Sequence, residues 1–368
     1  MNREFDNQKN HLTLVNCHMP GVQVYVKSER QVNPFQAGEL FRGEECFDGT
    51  FSSWERWQKP SPEPKPDPQL NQVVIESMQY RGPFLCGLHD RLLAKVAEVV
   101  PVGKTPLLIG ILRAGLFVSV GLSRRMAQLG QGLAPVAAIG LFHEAGFDQQ
   151  ALNLALKDYP GAFPVFVDGW TGRGVVANEL RRAYAAWNNK PEGLPETPVL
   201  ATLVDPGHHG DLWGTDRDAL VECAHFSAPE VLGFSRAFIT DPDAVWSAYR
   251  YPEAYRNQGL IKAWLNVFES APVFEEHGAA APQKLPELLE EIADLTGTEP
   301  SQWKVNVNEV VRTFVNRQPK QVLLGITKGE AEEGLPSLLD LAQKNAVPVN
   351  YTPRLGNNYN FLAAVRVK

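Results

Sequence analysis

Residues 165–174, VFVDGWTGRG, decide how this chain is expected to fold. Three apolar residues after a proline predict a buried strand, and the following VVANELRRAYAAW (175–187) has apolar residues at helical spacing. The Gly/Thr turn therefore joins a strand to the first turn of a helix, where unpaired N–H groups and the helix dipole suit a phosphate. Asp168, at the end of the strand, can accept hydrogen bonds from sugar hydroxyls or from magnesium-bound water. The stretch predicts a site for a phosphorylated sugar.

The neighbouring sequence repeats the pattern of an apolar strand followed by a helix or a polar loop. PLLIGIL (106–112) precedes a helical pattern, PVAAIGL (135–141) precedes a polar loop, and PVLATLVD (198–205) precedes another. Such alternation predicts an α/β fold with a parallel sheet, helices on both of its faces, and ligands at the carboxyl ends of its strands. A smaller α/β pattern occupies the C-terminal residues.

These patterns divide the chain into five predicted segments. They are an accessory N-terminal segment (1–58), a Pro-rich linker (59–68), the main domain (69–275), a second linker with a helix (276–300) and a small C-terminal domain (301–368). The first linker, KPSPEPKPDP, is expected to be extended and exposed, because proline fixes φ and removes a backbone donor.

Length, charge and cysteine usage narrow the class of protein. The chain has 368 residues, 44% of them hydrophobic, so it can bury a large core. Its net charge of -7 creates no overall field for nucleic acid, so any RNA contact must be local. The four cysteines are scattered, the N-terminus is polar, and no apolar run reaches membrane-spanning length. We therefore expect a cytoplasmic protein without a membrane partner, and the sequence leaves its oligomeric state open.

A second candidate loop, GILRAGL (110–116), also lies between a predicted strand and a predicted helix. Its backbone turn and Arg113 would suit a diphosphate, because a guanidinium presents several donors in a planar fork and stays charged. A strand, a loop and a helix with one arginine are common on their own, so this loop gains meaning only beside the first one.

The two loops together carry a resemblance to a known family. ILRAG (111–115) resembles the diphosphate-binding loop of phosphoribosyltransferases, and VFVDGWTGRG resembles their signature for phosphoribosyl diphosphate (PRPP). With GFDQQAL (146–152) between them, the chain is similar to phosphoribosyltransferases of tellurite-resistance stress operons, which are related to the StiP family. The resemblance implies a type I phosphoribosyltransferase-like fold. It also implies an enzyme that transfers phosphoribose to a base-like acceptor, or removes it by phosphorolysis, in a stress-response pathway of nucleoside-like metabolites.

The resemblance also implies roles for particular residues. The 5′-phosphate would be held by Thr171, Gly172, Arg173 and Gly174, the ribose and Mg²⁺ by Asp168, and the diphosphate by Arg113, Ala114 and Gly115. Most members have two adjacent acids in the signature, whereas Val167 stands at the first position here. This departure favours an alternative, a non-catalytic regulator that senses PRPP or a nucleotide and binds RNA.

The loop DPGHHGDLWGTD (205–216) follows the fourth strand of the main pattern. Four of its side chains are candidates for acceptor contact or for a general base: Asp205, His208, His209 and Asp211. No residue is predicted to ligate a metal directly, and a structural loop remains the alternative.

A cysteine peptidase is a distant alternative function. Cys86 and His89 lie three residues apart in FLCGLHDRLL (84–93), and a Cys–His pair could form a nucleophile. The surrounding residues are apolar, which is typical of a core cysteine beside a buried histidine.

The C-terminal residues resemble the Pelota group of RNA-binding domains. The resemblance is carried by NEVVR (308–312) and VLLGITKG (322–329). It implies that Asn308, Glu309, Arg312 and Lys328 contact RNA. An ordinary helix start, with an asparagine cap and a glutamate that favours the dipole, also explains the first two residues.

Overall fold

The computed structural model describes residues 12–43, 51, 53–274 and 282–367, with Asn316 described by its backbone alone. The strands of this part are β1 (Val22–Val24), β2 (Lys27–Gln31), β3 (Pro106–Ile111), β4 (Val136–Ile139), β5 (Leu141–Phe142), β6 (Gly146–Phe147), β7 (Phe163–Trp170), β8 (Leu200–Val204), β9 (Leu212–Thr215), β10 (Ser247–Arg250), β11 (Trp303–Val305), β12 (Gln321–Leu324), β13 (Val349–Tyr351) and β14 (Ala363–Arg366). The helices are α1 (Pro68–Val99), α2 (Ala114–Gln128), α3 (Gln149–Asp158), α4 (Val175–Ala185), α5 (Ala228–Val231), α6 (Gln258–Val267), α7 (Leu285–Thr296), α8 (Val307–Asn316), α9 (Lys328–Gly334), α10 (Pro336–Lys344) and α11 (Pro353–Tyr359).

The central sheet of the described residues has the strand order β1-β4-β3-β7-β8-β9, and all neighbouring strands are parallel. The chain passes from β3 to β4 on one side and from β7 to β8 on the other. The strand order therefore reverses between β3 and β7, which creates a crevice beyond their carboxyl ends. This arrangement confirms the predicted α/β fold with a central parallel sheet and puts both candidate loops beside the crevice.

The close approach of α2 to β7 depends on a glycine. A Cβ atom added at Gly115 would lie 1.9 Å from the carbonyl oxygen of Val167, which no side chain tolerates. The first turn of α2 can therefore lie directly against the end of β7. Gly115, predicted for the diphosphate, is not among the residues that line the cavity described below.

Two predicted boundaries are corrected by the structure. The N-terminal segment is not separate from the main domain, since β1 pairs with β4 at the edge of the central sheet. The predicted linker 59–68 is extended but not exposed throughout, because Pro60 and Glu63 are buried. The last residues of this linker begin α1, in which Asp67 caps the first turn.

The C-terminal residues form a second, mixed sheet with the order β11-β14-β12-β13, in which β12 and β13 are parallel. This sheet is attached to the main domain through buried polar contacts. The carboxylate of Asp218 accepts hydrogen bonds from the backbone N–H groups of Val307, Leu362 and Ala363. Burial raises the pKa of Asp218 to about 6. The first residues of the second predicted linker, 276–281, lie outside the described residues, and the helix predicted in this segment is α7.

No helix in the described part of the chain is both long enough and apolar enough to cross a bilayer.

Candidate functional site

A cavity of about 410 Å³ opens at the crevice between β3 and β7. Its walls come from the loops after these strands, from residues 42–43 and 61–62, from several residues between 223 and 236, and from several residues between 304 and 317 of the C-terminal domain. The basic side chains that line it are Arg42, Arg113, Arg173, Arg236, Lys304, Arg312 and Arg317. The acidic lining residues are Asp168 and Glu309. This excess of cations suits a ligand with several negative charges.

The turn after β7 has the geometry of an anion site. Gly174 precedes the first residue of α4 at φ +74°, and a Cβ there would lie 2.7 Å from Nδ1 of His209. Glycine is therefore required at this point of the turn. The hydroxyl of Thr171 donates to the buried Asp205 carboxylate, so it holds the turn in place. The first N–H groups of α4 have no partner within the helix and are the donors available to an anion.

Arg173 connects this turn to the C-terminal domain. Its guanidinium donates to the carbonyl oxygens of Trp303 at 2.6 Å and Pro300 at 3.1 Å. The side-chain amide of Asn306 adds a contact to the carbonyl oxygen of Thr171 at 3.4 Å. Arg173 thus lines the cavity, as predicted for a phosphate ligand, but it also fixes the turn against β11.

The loop after β3 contributes a paired arginine. Nη1 of Arg113 lies 2.8 Å and 3.0 Å from the two carboxylate oxygens of Glu63, whose side chain is 1% exposed. The backbone N–H of Ala228 also donates to Glu63. Arg113 and Ala114 line the cavity. The buried carboxylate therefore orients the guanidinium beside the cavity before any ligand binds.

The two acidic lining residues come from different domains. The backbone N–H of Gly169 donates to Asp168 at 2.7 Å, while burial, with a contribution from the charge of Glu309, raises the pKa of Asp168 to about 7. Glu309 accepts from the indole N–H of Trp170 at 2.9 Å and pairs with Lys304 at 3.3 Å. Burial alone would raise its pKa, but these two partners outweigh burial and hold the pKa of Glu309 below its usual range.

Arg236 lines the cavity and is held between aromatic rings. Its guanidinium lies 4.9 Å from the ring centre of Trp57 and 4.7 Å from that of Phe142. Phe142 in turn stacks on Trp246. Phe142 ends β5, and the residues that follow it form β6 and α3.

The loop 205–216 does not line the cavity. Asp205 also accepts from the backbone N–H groups of His209 and Gly210, and the His208 ring stacks on Trp213. Asp211 pairs with Arg181 on the outside. The prediction that Asp205, His208, His209 and Asp211 contact an acceptor is therefore corrected, because the contacts of these residues are those of a structural loop.

The residues predicted for RNA mostly face the main domain. Asn308 is fully buried, donates to the carbonyl oxygen of Ala219 at 2.8 Å and accepts from the N–H of Val221 at 2.7 Å. Arg312 donates to the carbonyl oxygens of Ala224 and Phe226.

Asn308, Glu309 and Arg312 are therefore not presented to RNA in this structure. Lys328 is different, since its side chain is 72% exposed. The cap of α8 is Asn306, whose side chain accepts from the N–H of Asn308.

A cysteine peptidase that uses Cys86 requires a reactive thiolate beside an oriented histidine, and the structure does not show this arrangement at Cys86 and His89. Cys86 lies in α1 with its Sγ 3.3 Å from the carbonyl oxygen of Ser270, and burial raises its pKa to about 11. Nδ1 of His89 contacts the carbonyl oxygen of Leu85. Cys223, which was not predicted as a site residue, lines the cavity, but burial raises the pKa of its thiol.

Comparison with known proteins gives one family and one curated relative. The family model described as "Tellurite-like stress resistance cysteine protease StiP" matches residues 59–257. The relative, named "Cysteine protease StiP" from Acinetobacter baylyi, is 33% identical over 85 residues, which are 23% of this chain and 22% of the relative. The chain thus matches about a fifth of the length of that curated relative.

Solved structures show only a weak likeness. The hypoxanthine phosphoribosyltransferase of Trypanosoma cruzi matches with a TM-score of 0.25 and 14% identity over 38% of this chain and 77% of that chain. A structure titled as an analysis of an invariant aspartic acid in HPRTs, an asparagine mutant, has the same score and identity and is covered to 74%.

Proposed function

The chain belongs to the StiP family of tellurite-like stress-resistance proteins, and because the matched region contains both loops of the cavity, we propose that the protein binds Mg²⁺–PRPP and transfers phosphoribose to or from a base-like acceptor. One observation carries this proposal. The turn before α4 and the loop before α2 border one cation-lined cavity, with Asp168 at the end of the strand between them. Two separate anion sites with a hydroxyl-binding acid between them match a sugar that carries a phosphate and a diphosphate.

Each group of the ligand has a fitting partner. The N–H groups at the start of α4 would bind the 5′-phosphate, Arg113 and the backbone at Ala114 would bind the diphosphate, and Asp168 would accept from the ribose hydroxyls. Mg²⁺ usually binds through one or two carboxylates together with substrate phosphates, and Asp168 fits that donor set. When bound, the ion would offset negative charge on the diphosphate.

The chain's own residues would act by position and charge. The bond between the anomeric carbon and the diphosphate breaks, its electron pair leaves with the diphosphate, and a new bond forms from the acceptor to that carbon. Arg113 would offset the charge that develops on the leaving group, and the turn before α4 would hold the ribose in line. The step requires no protein nucleophile.

Arg236 provides a test that leaves the loops unchanged. Arg236 lines the cavity, so its guanidinium would donate to a phosphate of the ligand. We expect Arg236→Met to weaken Mg²⁺–PRPP binding about 10- to 100-fold, because a hydrogen bond to a charged group contributes about 1.5–3 kcal/mol. Calorimetric titration at fixed salt measures the dissociation constants. Arg181→Met is the matched control, since Arg181 pairs with Asp211 outside the cavity.

Two results of this titration would contradict the proposal. One is a wild-type protein that does not bind Mg²⁺–PRPP, and the other is an equal loss of affinity in both arginine variants. If binding is found, the release of diphosphate with a panel of bases separates an enzyme from a PRPP-sensing regulator.

A cysteine peptidase is the second candidate function, because Cys223 lines the cavity and the family description contains that activity. The surroundings of the Cys223 thiol argue against peptidase activity. A raised thiol pKa leaves little thiolate, and the nearby His225 is buried with its own pKa lowered to about 4. On this candidate, Cys223→Ala would abolish hydrolysis of an unfolded protein substrate and Cys86→Ala would not. We expect no hydrolysis that depends on Cys223, as measured by release of acid-soluble peptides.

A further inference from the structure

The C-terminal domain forms one wall of the cavity, and its position is fixed by buried contacts. The lining residues that it contributes are Lys304, Val305, Glu309, Arg312, Thr313 and Arg317. Asn308, one residue before Glu309, is fully buried and bonded to the backbone at Ala219 and Val221. The first turn of α8 is therefore held in one orientation, with Glu309 directed toward the cavity.

Glu309 lies against the turn that we assign to the 5′-phosphate. A Cβ added at Gly172 would be 3.2 Å from Cγ of Glu309, so the glycine permits this close approach. The Glu309 side chain is 30% exposed, and its carboxylate is held by the indole N–H of Trp170 and by Lys304. A carboxylate is thus fixed as an anion at the edge of a cavity whose other charged groups are mostly cations.

This carboxylate is unfavourable for a ligand made only of phosphate groups. Like charges in a partly shielded site repel each other, and the repulsion lowers affinity for a bare polyanion. A ligand that also carries hydroxyl groups can donate to the carboxylate and so compensates for the repulsion. Asp168 lies close enough for the charge of Glu309 to act on it, so two carboxylates from two domains share this part of the cavity.

We propose that Glu309 makes the site selective for sugar phosphates over inorganic diphosphate, with the C-terminal domain supplying one wall of the site. This inference rests on the proposed function and adds a role for a domain outside the matched residues 59–257. It assigns Glu309 to a hydroxyl-bearing small molecule and not to RNA.

The test compares two ligands in the full-length chain. Glu309→Gln keeps the shape of the side chain and an acceptor for the Trp170 indole N–H, but it removes the charge. We expect the affinity for Mg²⁺–PRPP to fall at least about fivefold and the affinity for inorganic diphosphate to rise at least about threefold. Both dissociation constants are measured by calorimetry in the same buffer, with thermal unfolding of each variant as a check of folding.

Two further variants make the result specific. Glu332→Gln removes an exposed carboxylate of the same domain, paired with Lys328 on α9, and should change neither affinity. Glu309→Asp keeps the charge and should keep the weak binding of diphosphate. This variant also tests the inference if Glu309→Gln does not fold.

Equal losses for both ligands in Glu309→Gln would overturn the inference, because they would indicate a structural role alone. Unchanged affinities for both would overturn it as well. A wild-type protein that binds diphosphate but not PRPP would instead overturn the proposed function, and this inference with it.

Discussion

Gly115→Ala is expected to lower the midpoint of thermal unfolding by about 5 °C or more and to abolish ligand binding. The added Cβ would lie 1.9 Å from the Val167 carbonyl oxygen and 3.1 Å from Cα of Asp168. Helix α2 must therefore move away from β7 by roughly 1 Å, and overpacking of this kind costs about 1–3 kcal/mol or more. The displaced helix carries Arg113 at its start, so the same movement separates the two anion sites.

Thermal unfolding followed by circular dichroism measures the first effect, and calorimetry measures the second. Gly329→Ala is the control, because an added Cβ in α9 has no neighbour within 4 Å and alanine favours a helix. If the two glycine variants unfold at the same temperature as the wild type, the close approach of α2 to β7 does not constrain the site.

Asp168→Asn is expected to abolish Mg²⁺–PRPP binding while raising the thermal stability of the ligand-free protein at pH 8. The folded-state pKa of Asp168 is raised to about 7 from an ordinary value of 3.8, first by burial and then by the charge of Glu309. The folded protein therefore binds more protons than the unfolded chain between these two values. The stability linked to this group is greatest below pH 4 and is lost as the pH rises toward 7.

Asparagine has no charge to bury, so the difference in unfolding temperature between Asp168→Asn and the wild type should grow from pH 5 to pH 8. Scanning calorimetry at these two values checks the direction. Asp211→Asn, outside the cavity, serves as the control for binding. Retention of Mg²⁺–PRPP affinity within threefold by Asp168→Asn would remove Asp168 from the ligand site.

The sequence predicted the central elements because their signals are local. The apolar runs of β3 and β7 and the helical spacing of α2 and α4 lie within a few residues of each other, and the observed elements match them closely. Helix α1 was missed, since its 32 residues contain Pro83 and two glycines, Gly82 and Gly87, that interrupt the pattern. Its available signal was Asp67 before Pro68, which is typical of a helix start.

The sequence also predicted part of the candidate site, namely the part that depends on local signals. The two strand-turn-helix loops are local, so the Arg113 loop and the turn before α4 could be found from the sequence. Glu63, which pairs with Arg113 across 50 residues, could not. Glu309 was found from the sequence as an RNA contact, but its place beside Asp168 in this cavity was not. Such contacts depend on how segments pack, and no periodicity in the chain encodes them.

The pairing of β1 with β4 has a consequence for how the chain can be divided. Residues 22–24 cover the backbone of 136–138, which would otherwise form an unpaired edge with the apolar sequence Val136–Ile139. An uncovered edge of this kind is a template for strands of other molecules and promotes aggregation. A fragment cut at the family boundaries 59–257 would expose this edge and would also lack the C-terminal wall of the cavity. We therefore expect the segment matched by the family model to aggregate more readily on its own than the whole chain.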